Sequence, residues 1–281
     1  MSKILIIRFS ALGDVAMTIP VIFSLAHEYP MHEITVLSRS SFQPLFQELP
    51  SNVRFLGVDL NGKYHGIPGL NVLYKELHAE KYKYVADFHS VLRSQYLRLR
   101  FMLDGVTTAS IDKGRREKKK LTQKNNKAFF QLKSSFIRYY EVLEKLGFRF
   151  DLCFNSIFDK KNNNIPDIIR HTGEKKDIKW LGIAPFAKHK GKIYPLELQE
   201  KVIAHLVNDH RIKVFVFGGG DTEKKIVDGL VIKYPSLTST IGKLNMSQEI
   251  LLMSQLDLMY SMDSANMHLA SLVNTPVVSL W

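Results

Sequence analysis

Short runs of β-branched and aliphatic residues alternate along the whole chain with longer stretches whose apolar positions recur at helical spacing. That rhythm predicts βα units built around parallel sheets, an α/β fold. In the first half, strands are expected at residues 4–9, 34–37, 53–58, 84–88 and 107–111. Helices are expected over 15–27, 41–49, 70–81, 91–102 and 134–146, the last closed by Gly147 as a C-cap. Between 159 and 179 the composition turns to Lys, Asn, Glu and Pro, which reads as a polar linker. A second series follows, with strands at 180–184, 213–217, 237–241, 256–260 and 276–280. The expected organisation is therefore a Rossmann-like domain over 1–158, a linker over 159–179 and a second Rossmann-like domain over 180–281. Such a pair binds ligand outside the carboxyl ends of its strands, in the cleft between the domains.

Composition narrows the classes. With 281 residues, 45% of them hydrophobic and 23% charged, the chain can bury two ordinary cores and is not intrinsically disordered. No apolar stretch approaches the roughly 20 residues needed to span a bilayer, and Arg8 stops the first apolar run after four residues, too early for a secretory segment. The single cysteine, Cys153, excludes an intrachain disulfide framework and a multi-cysteine zinc site. A net charge of +12 asks for an anionic partner: nucleic acid, an acidic membrane surface or a phosphorylated small molecule. Of that excess, +7 lies in the fifteen residues 113–127, which hold eight basic residues and Glu117. This run is either a solvated face or a polyanion patch, and it lacks the interleaved aromatics of a single-stranded nucleic-acid site.

Four strand-to-helix handovers carry candidate chemistry. Residues 8–14 end on Gly13 and Asp14; Gly13 is expected at positive φ, and Asp14 is either a first-turn helix carboxylate or a general base at the sheet's mouth. Residues 185–195 hold Lys188, Lys190 and Lys192 before the helix that Pro195 would start, a phosphate site or a solvated basic loop. Gly218, Gly219 and Gly220 precede Asp221 and Glu223, but no G-x-G-x-x-G register runs through them. Residues 262–270 contain Asp263 and Ser264, either of which would cap the next helix, and His268. No D-x-D pair, H-E-x-x-H, P-loop or G-x-S-x-G occurs.

With these sites in chain order, the sequence resembles the heptosyltransferases of glycosyltransferase family 9. Residues 4–15 look like the family's opening strand and Gly-Asp turn, and residues 263–270, followed by Thr275 to Val278, look like its D-S/T-G-x-x-H-L-A segment. The resemblance implies the GT-B fold, two Rossmann-like domains facing across a cleft. It also implies inverting, metal-independent transfer of a heptose from ADP-heptose to a sugar hydroxyl of the lipopolysaccharide inner core. No cofactor is expected beyond the donor, and no metal.

In this likeness Asp14 matches the general base and Lys192 the lysine on the donor phosphates. Lys188 lies beside them, Glu223 falls near the donor ribose, and Asp263, Ser264, Ala265 and His268 fall on the diphosphate and sugar contacts. Leu244 and Met246 flank the adenine. The first domain takes the acceptor, an anionic glycolipid of the Kdo-lipid A type, with Ser10, Lys113, Arg115, Arg116, Lys118, Lys119 and Lys120 as its expected contacts. A monomer is expected, cytoplasmic and peripheral at the inner face of the cytoplasmic membrane, with no nucleic acid as partner.

Three departures from the family pattern stand out. Ala265 replaces a glycine, so the backbone approaches the donor less closely, and Ala187 and Lys188 replace small hydroxyl residues. The chain stops at Trp281, where family members continue with a glycine-rich loop and a last helix, so the second domain is expected to lack that segment. The alternatives are a GT-B sugar-nucleotide epimerase and a catalytically silent polyanion-binding protein.

Overall fold

The computed structural model describes residues 1–125, 127–158, 172–175 and 177–281. The chain divides into two compact units, Met1–Phe154 and Asn155–Trp281. Most of the expected linker, residues 159–171 and 176, lies outside the described residues, and Lys179 at its end already opens a strand.

In the first unit β1 (Lys3–Ile7), β2 (Glu33–Arg39), β3 (Val53–Val58), β4 (Tyr84–Asp87) and β5 (Thr107–Ser110) form one parallel sheet in the order β3-β2-β1-β4-β5. Ile4, Leu5, Ile6 and Ile7 are all fully buried, because a central parallel strand is covered on both faces and therefore reads as a continuous apolar run. Leu5, Ile7 and Phe9 pack with Leu37, Val85, Leu97 and Phe101 in one core cluster.

The helices are α1 (Leu12–Ala16), α2 (Ile19–Glu28), α3 (Gly66–Ala79), α4 (Leu92–Leu103), α5 (Arg115–Thr122) and α6 (Ser135–Lys145). The continuous helix expected over 15–27 is in fact two. Pro20, at the start of α2, cannot donate to the preceding turn, and the chain breaks at Met17 and Thr18. The helix expected over 41–49 is a 3-10 segment, Ser40–Phe46, with Pro44 inside it. The basic run at 113–127, over which no helix is expected, contains α5, whose N-cap is Gly114 at φ 60°.

The second unit repeats the arrangement with β6 (Lys179–Ala184), β7 (Ile212–Val216), β8 (Thr238–Ser239), β9 (Leu258–Met262) and β10 (Val277–Leu280), all parallel, in the order β10-β9-β6-β7-β8. Its helices include α7 (Leu196–Val207), α8 (Gly220–Lys233), α9 (Met246–Gln255) and α10 (Ala265–Leu272). The strand expected at 256–260 begins two residues later, because Leu256 and Asp257 close off α9: the Leu256 N–H bonds to Met253 and the Asp257 N–H to Trp180. In both sheets the strand order reverses beside the first strand, between β1 and β4 and between β6 and β9. Open α/β sheets bind ligands outside the carboxyl ends at such switch points.

Candidate functional site

In the first unit the loops leaving β1 and β4 meet at the switch point. Arg8, 7% exposed, places Nη2 2.7 Å from Asp14 Oδ2 and donates from Nη1 to the Phe88 carbonyl at 2.8 Å. The Ala11 N–H donates to the same Asp14 oxygen at 3.2 Å. Among the described residues the partners of the Asp14 carboxylate thus fall on Oδ2, which leaves Oδ1 of this half-exposed side chain open. The Tyr139 hydroxyl donates to the Asp14 carbonyl at 3.2 Å and so ties α6 to the loop. Gly13 does not have a positive φ. It sits buried in the first turn of α1, without a left-handed backbone.

His89, after β4, completes this cluster. Its Nδ1 accepts the Phe9 N–H at 3.3 Å, so the neutral ring carries its proton on Nε2, which lies 3.4 Å from Ser10 Oγ. Burial first, then the charges of Arg8 and Lys113, pushes the imidazole down to about 4, so the ring is neutral near pH 7 and donates to Ser10. Asp87 Oδ1 fixes the loop by accepting the N–H groups of His89 and Ser90 at 2.9 and 2.7 Å.

Beside it, at the ends of β4 and β5, lies a cavity of about 580 Å³, within the range that holds a ligand. Lys113, Arg115 and Arg116 line it, with Ser90 and Gln95 opposite in sequence. Arg138, nearly buried, holds two of the lining residues in place: Nη1 donates to the Asp112 carbonyl at 3.0 Å and Nη2 to Glu117 at 2.8 Å. A Cβ on Gly114 would stand 2.4 Å from Arg138 Nη2, so this position requires glycine for space as well as for its positive φ. The expected basic acceptor residues therefore separate into two groups. Lys113, Arg115 and Arg116 line the cavity, whereas Lys118, Lys119 and Lys120 are exposed on α5 and do not.

In the second unit the loops after β6 and β9 meet in the same way. Lys192 is ion-paired with Asp263, and the Tyr194 N–H lies 3.3 Å from Met262 Sδ. Ser264 occupies the N-cap of α10 but makes no capping bond. Its Oγ instead lies 3.3 Å from Ser261 Oγ, and the capping expected of Asp263 is replaced by its pairing with Lys192. First-turn N–H groups of α10, which includes Ala265, therefore have no side-chain cap to accept them. His268 is half-buried one turn further on, and Lys188 is exposed. After β7, Glu223 Oε2 accepts the Gly219 N–H at 2.8 Å and folds over the glycine turn. Leu244 and Met246 are half-buried at the start of α9, which Asn245 and Gln248 cap reciprocally.

Glu249, one turn into α9, has a carboxyl 3.2 Å from Thr240 Oγ1, and burial pushes it up to about 7 against the opposing effect of that hydrogen bond. In the unfolded chain the proton leaves near the ordinary value of 4.5, and in the folded chain near 7. Folding thus retains a proton across that window, and stability falls as pH rises through it. Glu249→Gln is expected to remove on the order of 2 kcal/mol of that decline, read as the difference between urea unfolding free energies at pH 5 and pH 7.5.

Arg8 as a partner of Asp14, together with His89, Gln95, Arg138, Tyr139 and Glu249, is not identified from the sequence. The sequence does carry a signal for His89: residues 87–90 occupy a strand-to-helix handover of the same kind as the four candidate loops. Arg138 and Tyr139 lie inside an ordinary amphipathic helix and give no local sign.

A family model, Glycosyltransferase family 9 (heptosyltransferase), matches residues 71–281. The chain is 24% identical over 282 residues to the lipopolysaccharide core heptosyltransferase OpsX of Haemophilus influenzae, covering 98% of this chain and 78% of that one. Its fold matches a glycosyltransferase family 9 structure from Veillonella parvula with a TM-score of 0.78 at 20% identity, covering 100% of this chain and 80% of that chain. It also matches E. coli heptosyltransferase WaaC with ADP-2-deoxy-2-fluoro heptose, TM-score 0.73 at 16% identity, over 99% and 88% of the two chains. The architecture is that of the GT-B heptosyltransferases.

Proposed function

The chain belongs to glycosyltransferase family 9 and is a glycosyltransferase, and from that premise we propose that it transfers a heptose from ADP-heptose to a lipopolysaccharide core sugar, with inversion and without a metal. The observation that carries this reading is the Asp14 carboxylate at the mouth of the first sheet, with Oδ2 held by Arg8 and Ala11 and Oδ1 left to take a proton. A sugar hydroxyl is a poor nucleophile. Asp14 removes its proton as the oxygen attacks the anomeric carbon, and the bond to the diphosphate breaks on the opposite face, which inverts the configuration.

Charge then builds on the departing diphosphate. Lys192 and the uncapped N–H groups of α10 receive it, a role that D-x-D enzymes give to a divalent ion and for which this sequence has no such pair. Glu223, Leu244, Met246 and His268 complete the donor contacts, and Ser10, oriented by His89, meets the acceptor. Lys113 and Arg115 in the first unit's cavity take an anionic group of an acceptor of the Kdo-lipid A type. The exposed lysines of α5 supply attraction to an anionic membrane face, about 1 kcal/mol each near the surface. No helix among the described residues is long and apolar enough to cross a membrane. The enzyme would then act at the cytoplasmic face as a peripheral monomer.

A transfer assay over a panel of ADP- and UDP-sugars tests the donor, with ADP-heptose expected to be the preferred one. Lys113→Ala combined with Arg115→Ala is expected to raise the acceptor KM roughly tenfold or more and leave donor KM within twofold. An equal rise in donor KM would remove the cavity from the acceptor site.

A further inference from the structure

The loop over 185–195, which carries Lys192, leaves β6 and returns at the start of α7. Residues 188–192 are exposed, and the backbone here closes a turn of its own, with the Lys192 N–H on the His189 carbonyl at 2.9 Å and the Ile193 N–H on Lys190 at 3.1 Å. Gln199, one turn into α7 and 1% exposed, joins the two ends of this loop. Its Nε2 donates to the Pro185 carbonyl at 3.0 Å and to the Tyr194 carbonyl at 2.6 Å. One nitrogen thus gathers both ends of a compact surface loop. Both partners are carbonyl oxygens, so only the NH2 side of the amide can serve there, which fixes the orientation of the side chain. Gln199 Oε1 is buried without a hydrogen-bond partner among the described residues.

Gln199 also breaks the pattern of its own helix. Leu196, Gln199 and Ile203 share the face of α7 turned to the core, where helical spacing asks for an apolar residue. An unpaired buried oxygen is costly, and the two bonds that close the loop offset it. The ion pair with Asp263 holds only the tip of Lys192. In the proposed reaction that carboxylate gives way to the diphosphate, whereas the Gln199 bonds lie behind the loop and take no part in the exchange.

We propose that Gln199 is a positioning residue for the departing diphosphate: its amide clamps both ends of the 185–195 loop and so sets where Lys192 presents its ammonium. The inference rests on the reading of Lys192 as the group that receives the diphosphate. Misplacement of a reacting group by about 1 Å can cost on the order of 100-fold in rate, so the anchor of a charge stabiliser acts on the transition state.

Gln199→Met keeps the length of the side chain and removes both donors. In steady-state transfer from ADP-heptose it is expected to lower kcat about tenfold and leave the acceptor KM within twofold. A double-mutant cycle separates positioning from general loosening: in a Lys192→Ala background, Gln199→Met is expected to lower kcat by less than a further twofold, because the group it places is gone. Unchanged kcat in folded Gln199→Met, or a full tenfold loss repeated in the Lys192→Ala background, would overturn the clamp. Should Gln199→Met fail to fold, Gln199→Glu carries the test. The introduced carboxyl offers one O–H when protonated and none when ionised, so kcat relative to the wild type is expected to fall as pH rises, and that step is expected to vanish with Lys192→Ala. No step, or a step that survives Lys192→Ala, overturns the proposal equally. If Lys192→Ala lowers kcat while Gln199→Met does not, the clamp falls and the reading of Lys192 stands. If Lys192→Ala itself leaves kcat unmoved, both fall.

Discussion

Asp14→Asn is expected to lower kcat for transfer by roughly 100- to 10,000-fold while leaving ADP affinity unchanged, the range lost with a positioned general base. Asparagine is the informative replacement because its amide oxygen can still accept the Ala11 N–H, so the first turn of α1 keeps its cap. It cannot accept the hydroxyl proton, and it removes the charge facing Arg8. That second loss has its own consequence. Arg8 is nearly buried and its Nε has no partner, so the guanidinium would face a neutral amide oxygen in place of a carboxylate, beside the Phe88 carbonyl and the face of Tyr139, whose centroid is 5.9 Å away. A fall in Tm is therefore expected alongside the catalytic loss. ADP titration separates the two effects, since the residues proposed to hold the donor belong to the other unit. Retained turnover in a folded Asp14→Asn variant would remove Asp14 as the base.

Lys192→Ala is expected to cost roughly 100- to 1,000-fold in kcat, as removal of one preorganised charge stabiliser does, and to weaken donor binding as well. Lys192 sits on a half-exposed ion pair with Asp263, which holds the ammonium at the N-terminal end of α10 when no phosphate is present. In the proposed reaction, exchange of that carboxylate for a diphosphate oxygen would keep the lysine paired at every stage. Asp263→Asn is then expected to perturb turnover far less than Lys192→Ala. Steady-state kinetics with ADP-heptose checks both variants, and a loss in Asp263→Asn equal to that in Lys192→Ala would show that the pair, not the lysine alone, carries the effect.

The elements were largely legible because burial writes itself into spacing. Residues 4–7 are uninterruptedly apolar since β1 is covered on both faces, and the helical spacing at 134–146 matches α6 with Ser134 as its cap. Misreadings came where a local constraint outweighed periodicity: Pro20 split a helix, Pro44 tightened another into a 3-10 turn, and a run of charges without apolar spacing concealed α5. Gly114 and Glu117 nonetheless mark the start of that helix.

The sequence by itself determined two parallel α/β units, the loops at the strand ends, and the family. Which loop faces which was decided by the tertiary structure. Asp14 and Arg8 are brought beside His89 only because β4, about eighty residues on, packs next to β1 and not at the sheet's edge. Lys192 meets Asp263 because β9 takes the equivalent place beside β6. Periodicity records which side of an element is buried, a property of each segment alone. Strand order is chosen by how whole helices and strands cover one another, so the pairing of side chains across strand ends leaves no trace in local spacing.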